Sequence, residues 1–134
     1  MSTSVAQLPE AKQLELKLQR QQDPMQRLLL IDQLTPHYLF TNIPRAQELL
    51  TEQAELLRGI RHPDFQLNYH LHSATIENQL YNFQQAETHF RAAIEILEER
   101  GDVKQQAEVY IDYAGTCMNL ENMELAGEYL SKAS

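Results

Sequence analysis

Three observations predict an all-α fold. The chain carries only four glycines and no tryptophan beside runs of Leu, Gln, Glu and Ala, too few turn-formers for a sandwich or barrel. It matches itself without gaps when shifted by 40 residues, and a fixed period of roughly 20 to 50 residues marks solenoids and related arrays. Within each copy, apolar residues recur at intervals of three and four, the spacing of one helix face.

The repeat rests on identities and on apolar columns. Asn42, Asn82 and Asn122 coincide, as do Ala46, Ala86 and Ala126. The columns are Phe40, Leu80 and Leu120; Ile43, Phe83 and Met123; Leu50, Phe90 and Leu130; Ile31, Leu71 and Ile111; and Leu57 with Leu97. Each copy reads as a helix A, a short turn and a helix B.

Taken in order, residues 5–22 precede the repeat, and Leu8, Ala11, Leu14 and Leu18 fall on one face of a capping helix. Asp23-Pro24-x-Gln26 has the form of a capping box and opens the first A helix over 24–40. Pro36 lies inside that stretch and predicts a bend or an early stop. Pro44 suits the first turn of a B helix over 44–59. Pro63-Asp64 marks the next boundary and an A helix over 65–81. Asn82-x-x-Gln85 is expected to cap the B helix at 83–100, whose apolar face is Ala86, Phe90, Ala93, Ile94 and Leu97 and which ends at Gly101-Asp102. Asp102-x-x-Gln105 opens the last A helix over 103–120, followed by a B helix over 123–134. The organisation is a capping helix at 5–22 and three units at 23–62, 63–102 and 103–134.

The bulk properties exclude several functions. With 11 Lys+Arg against 19 Asp+Glu, the net charge is −8 and the basic residues are scattered, so no nucleic-acid partner is expected. Apolar runs such as Leu28–Ile31 fall far short of the roughly 20 residues that cross a bilayer. The N-terminus lacks a basic start and an apolar core, so no secretory signal is visible, no membrane partner is expected and a cytoplasmic location is. Cys117 is the single cysteine and allows no internal disulfide.

From Asn78 to Asp102 the chain resembles a tetratricopeptide repeat (TPR). The family's aromatic before the turn, small residue in helix B, aromatic four later and alanine three after that stand as Phe83, Ala86, Phe90 and Ala93, with Ala74 as the small residue of helix A. The last copy offers Met123, Ala126, Leu130 and Ala133 with Ala114, and the first a weaker Ile43, Ala46, Leu50, Gln53 and Leu34. The resemblance covers about residues 24–134, in the long 40-residue form common in bacterial signalling proteins. It implies a right-handed α–α superhelix, a TPR solenoid, of about three helix pairs with the extra N-terminal helix. The small residues allow close helix approach and the aromatics fill the remaining space. Period alone also admits a HEAT or armadillo array.

No residue pattern points to catalysis, a cofactor or a metal. His70 and His72 project about 200° apart on a helix and cannot chelate one ion together. The register of His70 with Leu30 and Tyr110 assigns it to packing, and that of His72 with Asp32 and Asp112 assigns it to an exposed column. Cys117 has neither a histidine nor a cysteine near it in sequence, acidic pairs such as Glu98-Glu99 suit solvated helix ends, and Gly59, Gly101, Gly115 and Gly127 are isolated rather than a phosphate loop.

The resemblance implies a concave surface built from the A helices, carrying Asp32, Thr35, Leu39, His72, Thr75, Gln79, Asp112, Gly115 and Asn119. Its carboxylates favour a protein or peptide with basic groups. The Lys and Asn of chaperone-tail clamps are replaced here by the columns Ile31, Leu71, Ile111 and Thr35, Thr75, Gly115. The expected role is a non-catalytic protein-interaction, scaffold or sensory module. Because the third B helix is short against the second, the chain is expected to be the N-terminal arm of a larger bacterial signalling or regulatory protein. The alternatives are a stand-alone peptide-sensing regulator and a structural element that self-associates through the open C-terminal repeat.

Overall fold

The computed structural model describes residues 8–133. Among them the backbone forms α1 (Glu10–Arg20), α2 (Pro24–Leu34), a 3-10 turn at Thr35–His37, α3 (Ile43–Gly59), α4 (Pro63–Gln79), α5 (Phe83–Arg100), α6 (Val103–Asn119) and α7 (Met123–Ala133), with no strand. The all-helical expectation therefore holds. Residues 5–7 of the expected capping helix, the side chain of Met123 and Ser134 lie outside the described residues.

One helix differs from the sequence reading, and a second stops early as Pro36 predicts. Proline disfavours helical backbone at the residue before it, and Pro9 occupies the N-cap of α1, so the helix starts at Glu10 and leaves Leu8 outside. The Leu8 carbonyl instead accepts a hydrogen bond from Gln13 Nε2 at 2.7 Å. Pro36 ends α2 early at Leu34, and the chain tightens into the 3-10 turn.

The caps are formed in part. Asp23 accepts from the Gln26 amide at 3.0 Å and Asp102 from the Gln105 amide at 3.1 Å, each satisfying one orphan donor of a first turn. The box at Asp23 is not reciprocal, since the Asp23 amide donates to Gln21 Oε1. Asn82 makes no side-chain cap, contrary to its sequence pattern, whereas Asn42 and Asn122 accept from Arg45 and Leu125 at 3.2 Å.

The chain divides into two compact units, one up to Phe65 and one from Gln66. In the first, Leu14 and Leu18 of α1 pack with Ile31, Leu34 and Leu49 of α2 and α3. Ion pairs tie down the polar flank. Glu15 holds Arg45 at 2.6 Å and accepts from the Tyr38 hydroxyl at 3.0 Å, and the Arg45 guanidinium keeps the Glu15 carboxyl below its ordinary pKa. Arg27 pairs with Glu52 at 2.6 Å while its Nη1 donates to the Leu18 carbonyl at 2.8 Å. That carbonyl belongs to the last turn of α1, where it also accepts from the Gln21 amide at 3.3 Å. One guanidinium therefore links α1, α2 and α3.

In the second unit, Ala74, Ala86, Phe90, Ala93, Leu97, Tyr113, Ala114 and Ala126 belong to one buried cluster. The alanines let α4, α5, α6 and α7 approach, and aromatic rings fill the space between them. Tyr113 is fully buried, stacks on Phe90 at 5.8 Å and meets Tyr129 of α7 at 4.5 Å. Its hydroxyl accepts from Arg91 Nε at 2.8 Å, so the polar end of the ring is satisfied where the apolar part is packed.

Candidate functional site

The A helices of the second unit, α4 and α6, carry six of the nine candidate surface residues: His72, Thr75, Gln79, Asp112, Gly115 and Asn119. The Thr116 hydroxyl of α6 donates to Asn78 Oδ1 of α4 at 3.0 Å and ties the two helices together beside this face. Thr116 is itself buried and Asn78 partly so, which keeps the donor end of the bond away from water.

The α6 side is open. Ile111 is 54% exposed and Met118 43% exposed, and with Gly115 they follow i, i+4, i+7 spacing, which places them in one stripe. A Cβ built on Gly115 would meet nothing within 4 Å, so the middle of the stripe is bare backbone beneath open space. Asn119 folds its amide onto the Gly115 carbonyl at 3.1 Å. Asp112 is exposed beside the stripe, and partial desolvation together with the charge of Glu108 raises its pKa. An apolar strip is thus flanked by excess negative charge.

The α4 side is more closed. The Thr75 hydroxyl donates back to the Leu71 carbonyl at 3.0 Å. His72, assigned to an exposed column by its register, is instead partly buried, with Nδ1 shut away from solvent and without a hydrogen-bond partner among the described residues. Burial lowers its pKa to about 4. An imidazole has an apolar body that can lie against packed surface, which the carboxylate of Asp112 in the same register cannot do.

The remaining three candidates lie in the first unit, and two of them do not offer a binding surface. Thr35 has no exposure, and its hydroxyl donates to the Ile31 carbonyl at 2.7 Å. Leu39 is only 8% exposed. Thr35 keeps helical backbone at the end of α2, four residues after Ile31 and seven after Leu28, and so stands on the buried face of that helix, while Leu39 lies past the 3-10 turn and off the helix face that the register assumes. Asp32 remains partly exposed.

Sequence reasoning missed Ile111 and Met118. The column Ile31, Leu71, Ile111 reads as uniformly apolar, yet Ile31 has no exposure, Leu71 is half-buried and Ile111 faces solvent. The available signal was the i, i+4, i+7 alignment of Ile111 and Met118 on either side of a glycine. Cys117 is buried, and desolvation raises its thiol pKa, which leaves it protonated and unreactive. Among the described residues no group of three or more His, Cys, Asp or Glu is placed to hold a metal ion, and no helix is long and apolar enough to cross a membrane. No family model, curated protein or solved structure matches this chain.

Proposed function

We propose that the chain is a tetratricopeptide-type interaction module and that its second unit holds a peptide along the face of α4 and α6. The observation that carries this reading is the Ile111, Gly115, Met118 stripe, which is apolar, exposed and free of a Cβ at its centre. A peptide backbone can approach bare backbone closely, and apolar side chains on either side of it would cover Ile111 and Met118. Asp112 and Glu108 add negative charge beside the stripe, and they favour a segment that alternates apolar and basic residues. Such a module performs no chemistry itself and serves as a scaffold or sensory arm in a signalling or regulatory assembly.

The test is selection of peptides from a random display library on the whole chain, followed by titration of a fluorescent hit. Met118→Asp and Gly115→Arg should each reduce affinity by more than about tenfold, the loss of a central apolar contact, while the melting temperature stays near wild type. Asp112→Asn should weaken basic peptides and spare neutral ones. Hits that bind these variants as tightly as wild type would reject the face.

A further inference from the structure

His70 on α4 and His89 on α5 face each other with their Nδ1 atoms 3.0 Å apart. The ring centroids are 5.3 Å apart, so each nitrogen is directed at the other along the line between the rings. Tyr69 sets its ring edge-on to both, at 5.1 Å from His70 and 5.7 Å from His89. A neutral imidazole donates at one nitrogen and accepts at the other, so this contact is a hydrogen bond when it holds one proton and a repulsion when it holds two. Both rings are partly buried. Burial, with a contribution from His89, lowers the pKa of His70 to about 4, and burial lowers that of His89 against the opposing charge of Glu77. At neutral pH both imidazoles are uncharged, the form in which histidine binds metal.

The geometry points to a two-imidazole cation site, in which His70 Nδ1 and His89 Nδ1 clip a divalent transition-metal ion of the zinc class in place of the proton they share. Zinc–nitrogen bonds are about 2.0–2.1 Å long, so two nitrogens on adjacent corners of a tetrahedron lie about 3.3–3.4 Å apart. A small widening of the 3.0 Å pair and a pivot of the rings seat the ion. The ring that donated moves its proton from Nδ1 to Nε2, so two nitrogen–metal bonds form and no net proton is released at neutral pH. The chain supplies two ligands, and water fills the other positions, as at open rather than closed zinc sites. Binding should therefore be micromolar rather than the far tighter grip of a four-ligand structural site. The pairing of His70 with His72 that the sequence offers is excluded by helix geometry, whereas a partner from the next helix is not.

The experiment is a calorimetric titration of the whole chain with Zn2+ at pH 7.5, paired with nitrogen-detected NMR of the histidine rings. The expected result is one saturable site, with Zn2+ shifting the Nδ1 resonances of His70 and His89 and not those of His37, His62 or His72. His70→Gln and His89→Gln should each weaken binding by more than about tenfold, since loss of even an outer-sphere partner costs that much. His62→Gln should bind as wild type. Absence of a saturable site below 100-fold excess of Zn2+, or ring shifts confined to other histidines, would overturn the assignment. The NMR readout uses the unaltered chain and holds even if a variant fails to fold.

Discussion

Tyr81 and Glu121 stand 40 residues apart and share one unusual backbone state, with φ of 62° and 61°. Each follows an A helix, and each is followed by an asparagine whose amide reaches back to the helix at 2.8 Å, Asn82 to Glu77 and Asn122 to Cys117. This left-handed stop closes the last turn of α4 and of α6 in the same way. The 40-residue register of the sequence thus recurs as backbone geometry within the second unit. Thr41, the corresponding residue of the first copy, does not share it, because Pro36 has already ended that helix.

A left-handed residue with a Cβ is strained, and glycine relieves that strain. Glu121→Gly should therefore raise stability by about 0.5–1 kcal/mol. Gly101, which ends α5 at φ 71°, gives the opposite sign, and Gly101→Ala should cost about 1 kcal/mol. Urea denaturation of the two variants checks both. An unchanged midpoint for Glu121→Gly would mean that the turn relaxes in solution.

Gln53 has no exposure, and neither polar atom of its amide has a hydrogen-bond partner among the described residues. A buried amide left unsatisfied costs about 1–3 kcal/mol. Gln53→Met keeps much of the volume and removes the polar atoms, so it should stabilise the chain by up to about that amount. A lower melting temperature for this variant would show that the amide is satisfied in solution.

Ala86 has no exposure and sits within the cluster of the second unit. Ala86→Leu adds three carbons where α5 meets its neighbours and should cost about 1–3 kcal/mol by overpacking. Chemical denaturation measures it. A variant as stable as wild type would contradict the close helix approach on which the register rests.

Acid should destabilise the fold as its buried histidines take up protons. His70 and His72 have pKa values of about 4 in the folded chain against an ordinary 6.5. Between those values the unfolded chain binds more protons, so stability rises with pH across the window and is lost as pH falls from about 6.5 towards 4. His72→Leu should flatten the slope of melting temperature between pH 6.5 and 4.5, and an unaltered slope would place the His72 ring in solvent.

The sequence by itself determined the helical class, the limits of most helices, the early stop at Pro36 and the caps at Asp23 and Asp102. These are local properties: apolar spacing, proline chemistry and a side chain three residues from an orphan amide. Tertiary structure alone decided depth and partners. Ile31 and Ile111 occupy the same register, yet one is fully buried and the other exposed, since burial depends on what packs over a position. The same holds for Thr35, buried at the end of α2, and for His72, whose ring is partly buried. His70 and His89 lie 19 residues apart, and no periodicity pairs residues on different helices. Helix geometry fixes which neighbours on one helix can meet, but contacts between helices are set by how their faces approach.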